Sequence, residues 1–399
     1  MLASLASGTS VIKNILHSDD TLTTIEAFRA LGVDIAENLN EITITGQGLN
    51  GLKEPEGPLF MRNSGTSMRL LLGILAGQTF ATTLTADEGL SNRPMRRVTE
   101  PLSMMGAEFE GKENANYAPI TVIGGKLKAI TYMSKISSAQ VKSAILLAGL
   151  YANGTTSLAE PDRSRDHTER MLKVFGASIL VQGLRVYVTG GTSLKAANIE
   201  IPGDISSAAF FIVGASIIKG SSITLKSVGI NPTRTGVIDI LEMMGAKITI
   251  KNIRDGMSEP RGDIAVESSN LRGVKIQSNI IPRCIDELPI IMVAAAYAEG
   301  TTVIHGAGEL KVKETDRISS MGANLRNMGA KFEAKGDDIV IEGAGPLNGI
   351  PAMSFGDHRT AMSMAIAGLA AKGDTTVDDT DCIAKSYPNF IEDLNSLLV

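Results

Sequence analysis

Three short basic stretches stand out in a chain whose overall balance is acidic. "SNRPMRR" carries Arg93, Arg96 and Arg97, and "RSRDH" carries Arg163, Arg165 and His167. "ELKVKETDR" carries Lys311, Lys313 and Arg317, with Glu314 and Asp316 among them. With 38 Lys and Arg against 43 Asp and Glu the net charge is −5, so these clusters are local features and not parts of a basic surface. A lone cluster of this kind is most simply a solvated loop. The chemical alternative is an arginine aimed at a phosphate or carboxylate, which its planar fork grips through two parallel hydrogen bonds.

A second set of residues points the same way. Segments 66–76, 137–150, 205–219, 287–299 and 358–372 are apolar on most faces, which makes them buried helices. The stretches that lead into them read "RNSGTSMR", "KISSAQVK", "PGDISS", "RCIDELP" and "GDHRTAM". A buried helix must satisfy its first N–H groups, and Asn, Ser, Thr and Asp do this as simple caps. Five similar ends, several joined by Arg, Lys or Gln, point further, to helix N-termini that bind an anion. Gly65 fits that use, because a missing Cβ lets a ligand approach backbone N–H groups closely.

The elements that position these residues come from internal repetition. An apolar segment ending in Gly and a Thr- or Ser-rich strand occurs as "LASGTSVI", "LAGQTFATTL", "YANGTTSL", "IKGSSITL", "AEGTTVI" and "AKGDTTV", with glycines Gly8, Gly77, Gly154, Gly220, Gly300 and Gly373. Each reads as a left-handed glycine closing a helix. A second signature follows: "LGVDI", "MGAEFE", "FGASIL", "MGAKITI" and "MGAKFEA", with Gly32, Gly106, Gly176, Gly245 and Gly329 at the end of an amphipathic helix. The plan is six α/β units in two domains of three, residues 1–202 and 203–399. No terminal unit resembles the polar cap of a solenoid. The residues alone therefore describe a two-domain α/β protein that binds a multiply anionic small molecule between its halves, with carboxylates at hand for proton transfer.

Several function classes are excluded. Hydrophobic residues make up 43 % and charged residues 20 %, as in a globular enzyme. Trp is absent and aromatics are 4 %, so no platform exists for stacking bases, and no nucleic-acid partner is expected. No apolar run reaches membrane-spanning length, and "MLASLASG" lacks the features of a signal peptide. Cys284 and Cys382 read as reduced thiols of a cytoplasmic protein. "GQGLNG" opens no helix because Pro55 and Pro58 follow, so it is not a dinucleotide fingerprint. His17, His167, His305 and His358 lack ligand spacing, and no metal is expected.

The ordered set "NSGTSMR", "RPM", "SAQVK", "RDHTE", "NPTR", "IDELP", "KETDR", "DHR" and "SYPNF" resembles the EPSP synthase (3-phosphoshikimate 1-carboxyvinyltransferase) family over essentially the whole chain. The resemblance implies an α/β enolpyruvyl transferase-like fold, six βαβαββ-type units in two globular domains that close on shikimate 3-phosphate and phosphoenolpyruvate. It implies transfer of the enolpyruvyl group through a tetrahedral intermediate, with release of phosphate, by a cytoplasmic monomer without cofactor. By motif, Asp286 is the base for the substrate hydroxyl with Lys313 nearby, Glu314 is the proton donor to the enol carbon, and Lys385 assists. Gly65, Arg93, Gln140, Arg317, Arg359 and Lys385 correspond to the phosphoenolpyruvate site. Ser138, Gln140, Ser164, Arg165, Asp286 and Lys313 correspond to the shikimate 3-phosphate site.

Two other readings compete. The UDP-N-acetylglucosamine enolpyruvyltransferase family shares fold and donor but has a Cys on the loop before its R-P motif, where "LTADEGLSNRPM" has none. A non-catalytic or impaired relative that binds anionic ligands is suggested by the start of the chain. In the EPSP synthase family a strand and the stretch G-D-K-S-[IV]-S-H-R precede the residues matching "MLASLASGTS", and this sequence contains neither. The expectation is a shortened first helix, almost no activity, and lower stability than a version extended upstream.

Overall fold

Glycine closes the second helix of five repeats in one recurring way. Helices Asp19–Ala30, Arg96–Met104, His167–Val174, Gly236–Met243 and Arg317–Asn327 are followed by Gly32, Gly106, Gly176, Gly245 and Gly329. Each of these glycines has φ between 81° and 102°. The Gly32 amide donates to the Arg29 carbonyl at 2.9 Å and the Val33 amide to Phe28 at 3.0 Å, and the same pair of bonds recurs at the other four. Two orphan carbonyls are thereby satisfied at each helix end, and the chain leaves directly into a strand.

The computed structural model describes residues 1–38, 40–255, 259–343 and 345–398. They fall into two compact units, Met1–Ile201 and Pro202–Val399. Each repeat contributes a sheet. In the second repeat, Leu59–Phe60 runs parallel to Ala81–Thr85, which pairs antiparallel with Tyr117–Ile123, which pairs antiparallel with Glu108–Gly111. The third and fifth repeats copy this order, with Thr131–Met133 and Lys275–Ile276 as their short first strands. In the first sheet Leu194–Lys195 and Ile199–Glu200 take the parallel position beside Ala6–Lys13.

The apolar helices are Gly65–Leu75 and Ala139–Gly149 in the first unit, and Ile205–Ile217, Leu288–Tyr297 and His358–Leu369 in the second. The first two approach so closely that a Cβ on Gly73 would lie 2.3 Å from the Ala144 carbonyl oxygen. Each unit has its own apolar core built on these helices. No described helix is long and apolar enough to cross a membrane.

The first glycine signature is less uniform than the sequence suggests. The opening helix is one turn, Leu2–Leu5, and the strand Ala6–Lys13 already contains Gly8, with φ 103°. Gly77 is not left-handed; it is glycine because a Cβ there would lie 2.2 Å from Tyr151 Cγ. Gly154 follows the end of helix Ala139–Gly149 by several residues, in the turn to the strand. The motif therefore marks the helix-to-strand turn, and not a fixed capping position.

Candidate active site

Three of the five buried helices cap themselves. Ser64 Oγ accepts from the Ser67 amide, Asp204 from Ser206, and Asp357 from Arg359 and Thr360. For these ends plain capping accounts for the sequence pattern. Ser138 and Glu287, which lead into the other two, make no side-chain cap bond.

In the first unit, Gly65 stands between two guanidinium groups. A Cβ built on it would lie 3.1 Å from Arg69 Nη1 and 3.3 Å from Arg93 Nη1. Arg69 Nη1 donates to Gln140 Oε1 at 2.7 Å, and Gln140 Nε2 donates to Thr66 Oγ1 at 2.9 Å. Gly65, Arg93 and Gln140 are thus brought together, and Arg69 holds them. Sequence reasoning missed Arg69, although it stands one turn after Gly65 inside "NSGTSMR", where an arginine in an apolar helix is itself a signal.

Ser138 and Gln140 lie at the start of helix Ala139–Gly149, and Lys142 follows one turn later. Its ammonium is buried between Glu160 at 2.9 Å and Glu169 at 2.8 Å. Ser164 donates to the same Glu160 carboxylate, 2.6 Å to Oε1 and 2.8 Å to Oε2. The hydroxyl proton of Ser164 is therefore engaged by Glu160, and Arg165 is its neighbour in the chain. Burial raises the Glu169 carboxyl above its ordinary range, with Lys142 opposing. The Lys142 cluster was also missed; the signal was a lone lysine in the apolar run "VKSAILLAGL".

In the second unit Arg317 is the hub, 1 % exposed. Its Nε donates to Asp357 Oδ2 at 2.8 Å, its Nη2 to Glu314 Oε2 at 2.7 Å, and its Nη1 lies 3.6 Å from Asp286 Oδ1. Arg359 Nη1 donates to the Asp286 carbonyl at 2.9 Å, and Lys385 Nζ lies 3.6 Å from Glu314 Oε1. Asp286, Glu314, Arg317, Arg359 and Lys385 are thus joined, with Lys313 next to Glu314 in the chain. Asp357, read from sequence as a cap, is both cap and arginine partner.

The charges of this cluster are strongly perturbed. Burial opposes ionisation of Glu314, but Arg317 and then Lys385 outweigh it and hold the carboxyl at about 2. Glu314 is therefore a carboxylate in this state, which sets a condition on any role as proton donor. Burial, reinforced by Arg359, pushes His358 down to about 3, so its imidazole is neutral. Burial and the neighbouring Asp379 push the Cys382 thiol up to about 11, away from a reactive thiolate.

Other members of the basic stretches have structural partners. Lys311 reaches the Gly336 carbonyl at 2.8 Å and Asp337 at 2.9 Å, Arg96 the Glu113 carbonyl, and Arg163 the Gly183 carbonyl. For these three the simpler surface reading holds.

Repeated βαβαββ units that hold clustered arginines and lysines beside acid–base carboxylates define a two-unit α/β protein suited to small polyanionic ligands. Comparison with known proteins sharpens this: residues 1–394 match the EPSP synthase (3-phosphoshikimate 1-carboxyvinyltransferase) profile, and the chain belongs to that family. A 3-phosphoshikimate 1-carboxyvinyltransferase from Geobacillus kaustophilus is 53 % identical over 400 residues, covering 100 % of this chain and 94 % of the relative. One from Bacillus cereus is 50 % identical, covering 100 % and 92 %. The structure of an EPSP synthase from Acinetobacter baumannii superposes with a TM-score of 0.90 at 46 % identity, again covering 100 % and 92 %.

Proposed function

We propose that this protein transfers the enolpyruvyl group of phosphoenolpyruvate to the 5-hydroxyl of shikimate 3-phosphate and releases phosphate. The observation that carries the mechanism is the Arg317 guanidinium, which lies between Asp286 and Glu314. Asp286 takes the proton of the attacking hydroxyl, the oxygen bonds to C2 of phosphoenolpyruvate, and C3 gains a proton from Glu314. The tetrahedral adduct then loses phosphate and a C3 proton, which restores the double bond. Glu314 begins as a carboxylate and takes up a proton before this step. The anionic groups of the substrates, by drawing Arg317 and Lys385 toward themselves, remove the two cations that hold its pKa down.

Gly65, Arg93 and Gln140 serve phosphoenolpyruvate with Arg317, Arg359 and Lys385. Ser138, Gln140, Ser164 and Arg165 serve shikimate 3-phosphate with Asp286 and Lys313. To donate to the substrate phosphate, Ser164 turns its hydroxyl away from Glu160. The protein acts as a cytoplasmic monomer in aromatic amino-acid biosynthesis, and size-exclusion chromatography with light scattering tests the monomer.

The direct test is phosphate release with the two substrates together and singly. Release only with the pair supports the reading. Release that depended on UDP-N-acetylglucosamine in place of shikimate 3-phosphate would overturn it.

A further inference from the structure

We infer that the loop Asn231–Gly236, "NPTRTG", is a clamp that positions Asp286, acting through Arg283 and Glu287. The inference rests on Asp286 being the base of the proposed reaction.

The loop is itself tightly ordered. Asn231 Oδ1 accepts from the Thr233 amide at 2.9 Å and hydroxyl at 2.8 Å, and its carbonyl accepts from the Arg234 and Thr235 amides at 2.8 and 3.1 Å. Two arginines tie it to the segment that carries Asp286, and they run in opposite directions. Arg283, three residues before Asp286, donates from Nε to the Pro232 carbonyl at 2.7 Å, and its Nη1 pairs with Asp239 at 2.7 Å. Arg234 reaches back to Glu287, the residue after Asp286, at 3.6 Å, and to Asp204 at 3.2 Å. Ser206 bridges the same pair, accepting from Arg234 and donating to Glu287. Gly236 allows this proximity, since a Cβ there would lie 3.0 Å from Arg283 Cβ and 3.1 Å from Cys284 Cβ.

Glu287 is fully buried, and its Oε2 has no hydrogen-bond partner among the described residues. A buried charge beside one cation is a poor source of stability, because desolvation offsets the attraction. It is a good way to fix one conformation, and what it fixes is the residue next to Asp286. The adjoining repeat uses a comparable pair, Arg317 with Asp357, which caps helix His358–Leu369 as Glu287 precedes helix Leu288–Tyr297. There the arginine is part of the site; here it stands behind it, with the Asp286 carbonyl held by Arg359. Arg234, Arg283 and Glu287 are therefore positioning residues.

The test is epistasis with Asp286, using phosphate release from the two substrates. Arg283→Gln and Arg234→Lys are expected to lower kcat roughly 10- to 100-fold, the cost of a base displaced by about an ångström. KM for either substrate should change less than about threefold. Placed on Asp286→Asn, each should lower the residual kcat by less than about twofold, since the base they position is gone. Losses that multiply in the Asp286→Asn background, or that fall on KM, overturn the clamp. If either arginine variant melts early, Gly236→Ala, which presses one methyl on Arg283, takes its place in the same cycle. A wild-type protein inactive on this pair overturns the functional reading, and full activity of Asp286→Asn overturns the base assignment; the clamp falls with either.

Discussion

The two units keep their cations in different company. In the first, Arg69 rests against the neutral amide of Gln140 and the Pro94 carbonyl, while the nearby carboxylates Glu160 and Glu169 are buried on Lys142. In the second, Arg317 rests directly on Asp357 and Glu314, with Asp286 close by. An anion reaching Arg69 in the first unit competes with the Gln140 and Pro94 oxygens, which are neutral. An anion reaching the second competes with carboxylates, and whatever it gains changes their proton affinity. The first arrangement suits binding, and the second couples binding to proton transfer.

The largest expected effect tests this division of labour. Asp286→Asn and Glu314→Gln should each lower kcat by roughly 10² to 10⁴ if they transfer protons. Gln140→Ala, in the first unit, should act mainly on KM, with kcat within about tenfold. Steady-state kinetics separate the two. Equal losses of kcat in both units would erase the distinction.

Stability should divide in the opposite sense. Lys142→Met leaves two carboxylates buried together and should cost about 3–5 kcal/mol, read as a lower melting temperature. Lys142→Met combined with Glu169→Gln should recover part of that, because one of the stranded charges is gone. Arg317→Ala should destabilise less, since Asp357 still accepts from the Arg359 and Thr360 amides. It should instead weaken phosphoenolpyruvate binding, measured by titration calorimetry. A larger melting-temperature loss for Arg317→Ala would reverse the comparison.

Much of this was legible in the sequence, for reasons that differ by residue. Gly32, Gly106, Gly176, Gly245 and Gly329 were readable as helix ends because a left-handed position has few other occupants. Gly77 was misread, since its cause is a tertiary contact with Tyr151 that no local pattern contains. Asp286, Glu314 and Arg317 were singled out from motifs whose order and spacing resemble the family's, and folding brings the three together. Arg69 and Lys142 were not assigned and Asp357 was read only as a cap, because each completes its cluster with residues far along the chain. The charge state of Glu314 was illegible because it balances burial against Arg317 and then Lys385, and the burial and the approach of Lys385 come only with folding.

That charge state gives the second unit a signature in acid. The Glu314 pKa is lowered in the folded protein, from an ordinary 4.5 to about 2. Its stabilising contribution is therefore complete above the unfolded value and is lost as pH falls from about 4.5 toward 2. Glu314→Gln should show a shallower loss of stability over that window in chemical denaturation. In the first unit Glu169 is shifted the other way, so Glu169→Gln should not flatten that acid loss. Identical acid profiles for wild type and Glu314→Gln would count against the Arg317–Glu314–Lys385 arrangement.

The smallest effect expected lies in the first unit, at Gly65. Its φ lies outside the left-handed region, so alanine fits the helix start without backbone strain. Alanine is also the better helix former, by up to about 1 kcal/mol, and the melting temperature should hold or rise. The added methyl meets the far ends of Arg69 and Arg93, which can shift by a few tenths of an ångström, and Leu90 Cδ1 at 3.4 Å. It occupies the space between two guanidinium groups where a ligand would approach the backbone. Gly65→Ala should raise KM for phosphoenolpyruvate roughly 10-fold, as one methyl group in a fitted pocket does. Because Asp286 and Glu314 are untouched, kcat should stay within about threefold. A fall in kcat with KM unchanged would mean that Gly65 serves the chemical step, and that the first unit does more than bind.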